Sequence, residues 1–128
     1  MRLLLDTHAL IWFLDNERRL STPARAAIES KDNENWVSLV TGWEMAIKVS
    51  LGKLRLPIDY AEFFPGKLAS LGFNIQTIDA RHLHILVQLP FHHRDPFDRL
   101  LVAQAKSEGM TVVTCDPQFA AYGIPIIW

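Results

Sequence analysis

The chain has one cysteine, Cys115, among its 128 residues. A lone thiol excludes a disulfide framework and any zinc site built from several cysteines, and it fits a reducing, cytoplasmic setting. A surplus of positive charge is also missing, because 13 Lys and Arg stand against 14 Asp and Glu for a formal net charge of −1. That balance argues against gripping nucleic acid by bulk charge. Long apolar runs are lacking too. The opening MRLLLDTHALIWFLD is cut by Asp6, and no small-residue cleavage site follows, so neither a targeting segment nor a membrane span is expected. Repeats, low-complexity tracts and long linkers are absent, so one domain over residues 1–128 is expected, with a core that stands without disulfides.

What is present alternates between strand and helix. Arg2–Asp6 is a short apolar run ending in an acid, the pattern of a strand covered on both faces. His8–Leu14 reads as a helix capped by Asp6 or Thr7, and Ser21 caps a second helix that runs to about Ser30. Trp36–Val40 is a second strand, and Thr41–Gly42 opens a helix that Gly52 stops after Leu51. Tyr60–Leu71 is helical with a break or kink at Pro65. Phe73–Ile78 reads as a third strand, Asp79 caps a helix over Ala80–Gln88, and its His82 and His84 read as surface or packing residues. Met110–Thr114 is a β-branched strand, Pro117–Tyr122 a turn or short helix, and Ile124–Ile127 a final strand. The expected class is α/β, with a central, mainly parallel sheet of about five strands flanked by helices. Right-handed crossovers place the carboxyl ends of the strands on one edge, where such folds bind ligands.

The chemistry gathers around His92–Ala105, HHRDPFDRLLVAQA. Asp95, then Pro96 at the first helical position, then Asp98, begin a helix whose later turns are apolar. Two readings are open: Asp95 as N-cap with Asp98 as its capping-box partner, or both as part of a metal site. The second needs acids from elsewhere, and three stand at strand ends or just beyond: Asp6, Glu44 and Asp116. Glu44 falls in the first turn of its helix, where an acid also suits the dipole, and Lys48 four residues on makes an exposed ion pair with it. Two carboxylates ~5 Å apart repel by roughly 3 kcal/mol at an effective dielectric near 20, so a convergence of such acids calls for protons or a divalent cation. Oxygen ligands select hard Mg²⁺ or Mn²⁺, and Cys115 is too soft a donor for that metal, which suits it to a buried strand position. Setting those five acids aside leaves 13 basic residues against nine acids, a surface compatible with a phosphodiester substrate.

The ordered set Asp6-Thr7-His8, Ser38 followed by Trp43-Glu44 and Ile47-Lys48, Arg94-Asp95-Pro96-Phe97-Asp98-Arg99, and Thr114-Cys115-Asp116 resembles the PIN-domain family, and more narrowly its VapC-type toxins. The resemblance implies a PIN-like fold and a metal-dependent endoribonuclease, with one or two Mg²⁺ or Mn²⁺ ions held chiefly by Asp6 and Asp98, Glu44 and Asp116 acting directly or through water, and Asp95 as an extra acid. Hydrolysis by activated water would leave a 5′-phosphate and a 3′-hydroxyl. Thr7 and Thr114 are candidates to orient carboxylates. Arg94, Arg99, His93 and Lys48 are candidates for phosphate or antitoxin contacts. The implied partners are RNA, a VapB-type antitoxin packed across the site and a second copy of the chain, with Trp12, Phe13, Trp36 and Trp43 as candidate anchors. A non-catalytic binding module of the same fold is the alternative. A phosphoacceptor domain fits poorly, because Thr7-His8 rather than a second acid follows Asp6 and Tyr122–Trp128 contains no lysine.

Overall fold

In the computed structural model, which describes residues 1–128, five strands form one wholly parallel sheet. They are β1 (Arg2–Leu5), β2 (Glu34–Ser38), β3 (Asn74–Gln76), β4 (Thr111–Val113) and β5 (Ile126–Ile127), in the order β3-β2-β1-β4-β5. The strand-helix alternation is as expected, and both faces of the sheet are covered. Leu3, Leu5 and Val113 point into one core with Leu10, Met45 and Phe63. Leu4 and Val112 point into a second core with Leu101, Met110 and Phe119. This period-2 division of fully buried residues explains why β1 reads as an unbroken apolar run.

Between the strands lie α1 (Thr7–Leu14), α2 (Thr22–Glu29), α3 (Leu39–Ser50), α4 (Tyr60–Glu62), α5 (Leu68–Ser70), α6 (Ala80–Gln88) and α7 (Pro96–Glu108). Several expected boundaries move, and the expected interruption of the Tyr60–Leu71 helix is present. The second strand ends at Ser38, whose hydroxyl accepts the Val40 N–H at 3.0 Å and starts α3 two residues earlier than the Thr41–Gly42 signal suggests. The Tyr60–Leu71 helix is divided at Phe64, which adopts φ −119°, ψ 123°, because a proline excludes the α-region from the residue before it. The third and fifth strands are shorter than Phe73–Ile78 and Ile124–Ile127.

The register sets the position of the functional edge. Leu5 stands beside Val37 and Val113, so the residues that follow β1, β2 and β4 emerge together. Helix α6 then runs back along α7: His82 near its start reaches Glu108 at the end of α7, while Leu86 and Leu89 near its finish meet Arg99 near the start. That antiparallel pair returns the chain to the same edge, so Asp95 and Asp98 open α7 beside the strand ends. Gly109 closes α7 in the left-handed region, φ 65°, the conformation that glycine adopts at least cost.

Candidate metal centre

Asp6, Glu44, Asp95, Asp98 and Asp116 line one cleft of about 250 Å³, together with Thr7, His8 and Cys115. Five acids from four separate segments therefore converge. Each is placed by its element. Asp6 follows β1 and caps α1, its Oδ1 accepting the Ala9 N–H at 2.8 Å. Burial holds its carboxyl above the usual carboxylate range, opposed by hydrogen bonds from Thr114 and Ala9 and by the nearby His8.

Glu44 lies past the first turn of α3, which corrects the expectation of a dipole-matched acid, since no acid occupies that turn. Its Oε1 accepts from the Thr7 hydroxyl at 2.6 Å and its Oε2 pairs with Lys48 at 3.0 Å. The pair is half-buried rather than exposed. Thr7 and Thr114 are both buried, and Thr114 also accepts the backbone N–H of Asp116 at 3.1 Å. Thr7 thus contacts the Glu44 carboxylate directly, and Thr114 contacts the backbone of Asp116.

At the mouth of α7 the two acids divide their work. Asp95 is exposed and caps the helix, its Oδ1 accepting the N–H groups of Phe97 at 2.8 Å and Asp98 at 3.3 Å. The capping-box role for Asp98 does not occur, because its carboxylate makes no return bond to Asp95. Half-buried, Asp98 receives no N–H or O–H donor at either oxygen. Burial, then the neighbouring Asp95, with Asp6 and Glu44 adding to it, pushes its pKa up to about 6. Asp116 follows β4 and caps the short 3₁₀ turn Pro117–Tyr122, accepting the Gln118 N–H at Oδ1 and His93 Nε2 at Oδ2.

Three expectations about other side chains change. Arg99 is buried and its guanidinium donates to the carbonyls of Leu86, Leu89 and Pro90, so it closes the end of α6 and is unavailable to phosphate. His93 is buried too, with both ring nitrogens occupied inside the protein, and Arg94 alone of that group is exposed. Cys115 is exposed at the cleft rather than buried in a strand, and partial burial with Asp6 and Asp116 nearby pushes its thiol up, away from thiolate chemistry.

A family model described as PIN domain matches residues 3–125. The chain belongs to the PIN domain family. Ribonuclease VapC22 of Mycobacterium tuberculosis is 30% identical to this PIN domain over 125 residues, 95% of this chain and 92% of that protein. A toxin-antitoxin complex from Klebsiella pneumoniae contains a chain with TM-score 0.64 and 27% identity, covering 98% of this chain and 96% of that one. VapBC2 from Rickettsia felis, bound to a DNA fragment from its promoter, shares the fold at TM-score 0.71 and 15% identity, over 98% and 97% of the two chains.

The residues of this PIN domain that sequence reasoning missed are the ones behind the acids. Tyr122 bonds His93, and Gln104 on α7 accepts from the Ser38 hydroxyl at 2.5 Å, tying α7 to the start of α3. A polar Gln104 in an apolar helix is a readable signal. Tyr122 carries none. His82 is wholly buried and is a true capping-box partner, its Nδ1 accepting the Asp79 N–H, so packing rather than surface was the correct half of its expectation; His84 is exposed.

Proposed function

We propose that this PIN domain is a divalent-metal-dependent endoribonuclease, the toxin of a VapBC-type pair. The observation that carries the reading is Asp98, an acid held up to about 6 by burial and by other acids, facing a shared cleft without a donor on either oxygen. A group so placed is relieved by a cation. The donors are carboxylate oxygens in a partly enclosed cleft, which fits Mg²⁺ or Mn²⁺. The relative named ribonuclease VapC22 gives the substrate class.

Asp6 and Asp98 would hold the ion chiefly, with Glu44 and Asp116 acting directly or through water. A divalent ion there supplies Lewis acidity, activating water for attack on phosphorus and neutralising charge on the phosphoryl oxygens. Thr7 keeps Glu44 turned into the cleft, and Lys48 balances part of its charge. Asp95 serves α7 as its cap while adding negative charge to the cleft. Arg94, exposed two residues before the α7 mouth, is the remaining candidate for RNA phosphate.

The partners follow from the same reading. The similar chains are named in complexes of toxin with antitoxin. A groove of about 220 Å³ lined by Ile11, Leu14, Met45, Leu56, Ile58 and Phe63 offers an antitoxin segment an apolar seat. Trp43 is 55% exposed and packs edge-on against Phe97 at 5.0 Å, which leaves it available as an anchor for a homodimer, whereas Trp12, Phe13 and Trp36 are partly buried in the two cores. No helix is long and apolar enough to cross a membrane; a cytoplasmic site of action is part of the proposal and follows from the RNA substrate it assumes.

The test is RNA cleavage with Mg²⁺ or Mn²⁺, with EDTA, and with Asp6→Ala or Asp98→Ala. Cleavage that needs the ion and is lost in both variants supports the reading. Cleavage that survives EDTA overturns the metal mechanism, and no cleavage by the unaltered protein favours the binding module.

A further inference from the structure

We infer that His93, backed by Tyr122, is a positioning residue that sets Asp116 against Asp98, a role that rests on the metal-nuclease reading above. His93 is buried, its Nε2 lies 2.6 Å from Asp116 Oδ2, and its Nδ1 lies 3.0 Å from the Tyr122 hydroxyl. The same hydroxyl accepts the backbone N–H of His93 at 2.9 Å. The two rings stack at 5.5 Å with an interplanar angle of 10°, and Phe119 packs against the imidazole at 4.9 Å.

These contacts assign the tautomer. An ionised Asp116 Oδ2 can only accept, so Nε2 carries the ring proton and donates to it. In the neutral ring Nδ1 is then the acceptor, and it takes the Tyr122 hydroxyl proton while the same oxygen accepts the His93 backbone N–H. Asp116 then has one protein donor on each oxygen, Gln118 N–H at 2.9 Å on Oδ1 and His93 on Oδ2, which fixes the carboxylate plane while leaving lone pairs on both oxygens.

The same three bonds do a second thing. His93 precedes Asp95, the N-cap of α7, by two residues, and Tyr122 ends the 3₁₀ turn that Asp116 begins. The clasp therefore joins the two chain segments that carry Asp98 and Asp116. Donor atoms of His93, Asp98 and Asp116 all lie within 4.8 Å of one another, so a loosened clasp changes a spacing that metal binding depends on. Outer partners that orient metal-binding groups are commonly worth about 10- to 100-fold in metal affinity.

The experiment is calorimetric titration of Mn²⁺ into the full chain and into His93→Leu, His93→Gln and Tyr122→Phe. Leucine keeps apolar bulk without a donor, and glutamine carries an amide N–H to about the place of Nε2. Expected is a loss of affinity of about 10-fold or more in His93→Leu, most of it recovered in His93→Gln, and a smaller loss in Tyr122→Phe. Imidazole ¹⁵N spectra of the metal-free protein give an independent readout: unprotonated Nδ1 and protonated Nε2 at His93, disturbed in Tyr122→Phe. Unchanged affinity in His93→Leu, or a proton on Nδ1 of the unaltered protein, overturns the positioning role alone. Absence of Mn²⁺ binding by the unaltered protein overturns the proposed function and this role with it. Should His93→Leu fail to fold, Tyr122→Phe and the imidazole spectrum decide the matter.

Discussion

Asp98 is where the protein's electrostatic burden is greatest, and its titration has a definite sign. Its folded pKa of about 6 lies above the ordinary 3.8, so the folded chain holds an extra proton between about pH 4 and pH 6. Stability from this group is therefore lost as pH rises through that window, and the loss is complete above it. In EDTA, Asp98→Asn should be more stable than the unaltered protein at pH 8 by about 1 kcal/mol, a figure reduced for the partial exposure of the group. At pH 4 the advantage should vanish. Urea unfolding at the two pH values checks this, and a variant less stable at pH 8 would show that the dipole contribution of the acid outweighs repulsion. Arg99 makes the opposite case, a charge that serves the fold. Arg99→Ala would strand the carbonyls of Leu89 and Pro90, Leu86 keeping the Leu89 N–H, and should cost about 2–4 kcal/mol in urea unfolding, while RNA affinity per folded molecule stays unchanged. Asp6, Asp95, Asp98 and Asp116 were legible because each is a polar residue at one end of an apolar element, and Glu44 because it stands in an apolar helix close behind a strand. Arg99 and His93 were not, because their burial depends on α6 folding back along α7, a contact that no local pattern announces.

At the level of elements, α3 shows how a boundary error changes a functional reading. A strand over Trp36–Val40 with a helix opening at Thr41–Gly42 puts Glu44 in a first turn. Ser38 instead ends the strand by capping, and its donation to Gln104 ties that cap to α7. Glu44 thus owes its place to the cleft rather than to the helix dipole. Two residues before it, Gly42 is needed for close packing: a Cβ there would stand 2.4 Å from the Phe64 ring, and the Gly42 carbonyl accepts from the Tyr60 hydroxyl at 2.5 Å. Gly42→Ala should displace Phe64, which the break at Pro65 holds against α3, and lower stability by about 1–3 kcal/mol in thermal or urea unfolding. Residues 60–70 were legible as helical and interrupted. That the interruption delivers an aromatic ring onto Gly42 depends on tertiary packing and was not.

For the whole molecule, the order β3-β2-β1-β4-β5 puts the two strands that deliver Asp6 and Asp116 side by side, with β2 and α3 on the other flank of β1. Parallel strands buried on both faces were legible from apolar runs and helix spacing, and the shared edge follows from handedness alone. The price of that geometry is acids from several segments crowded at one end of a small domain. Folding therefore brings together charges that the unfolded chain keeps apart, and a cation that binds only the folded cleft shifts the equilibrium by mass action. At about 100 times its dissociation constant, Mn²⁺ should add about 2.7 kcal/mol, a rise of several degrees in the thermal midpoint. EDTA should return the midpoint to its metal-free value. In the double variant Asp6→Asn, Asp98→Asn the same Mn²⁺ concentration should leave the midpoint nearly still, because the principal oxygens are gone while the sheet and both cores are intact. Scanning calorimetry of the two proteins, each with and without the ion, makes the comparison. An equal rise in both would mean that the ion stabilises the fold from somewhere other than this cleft.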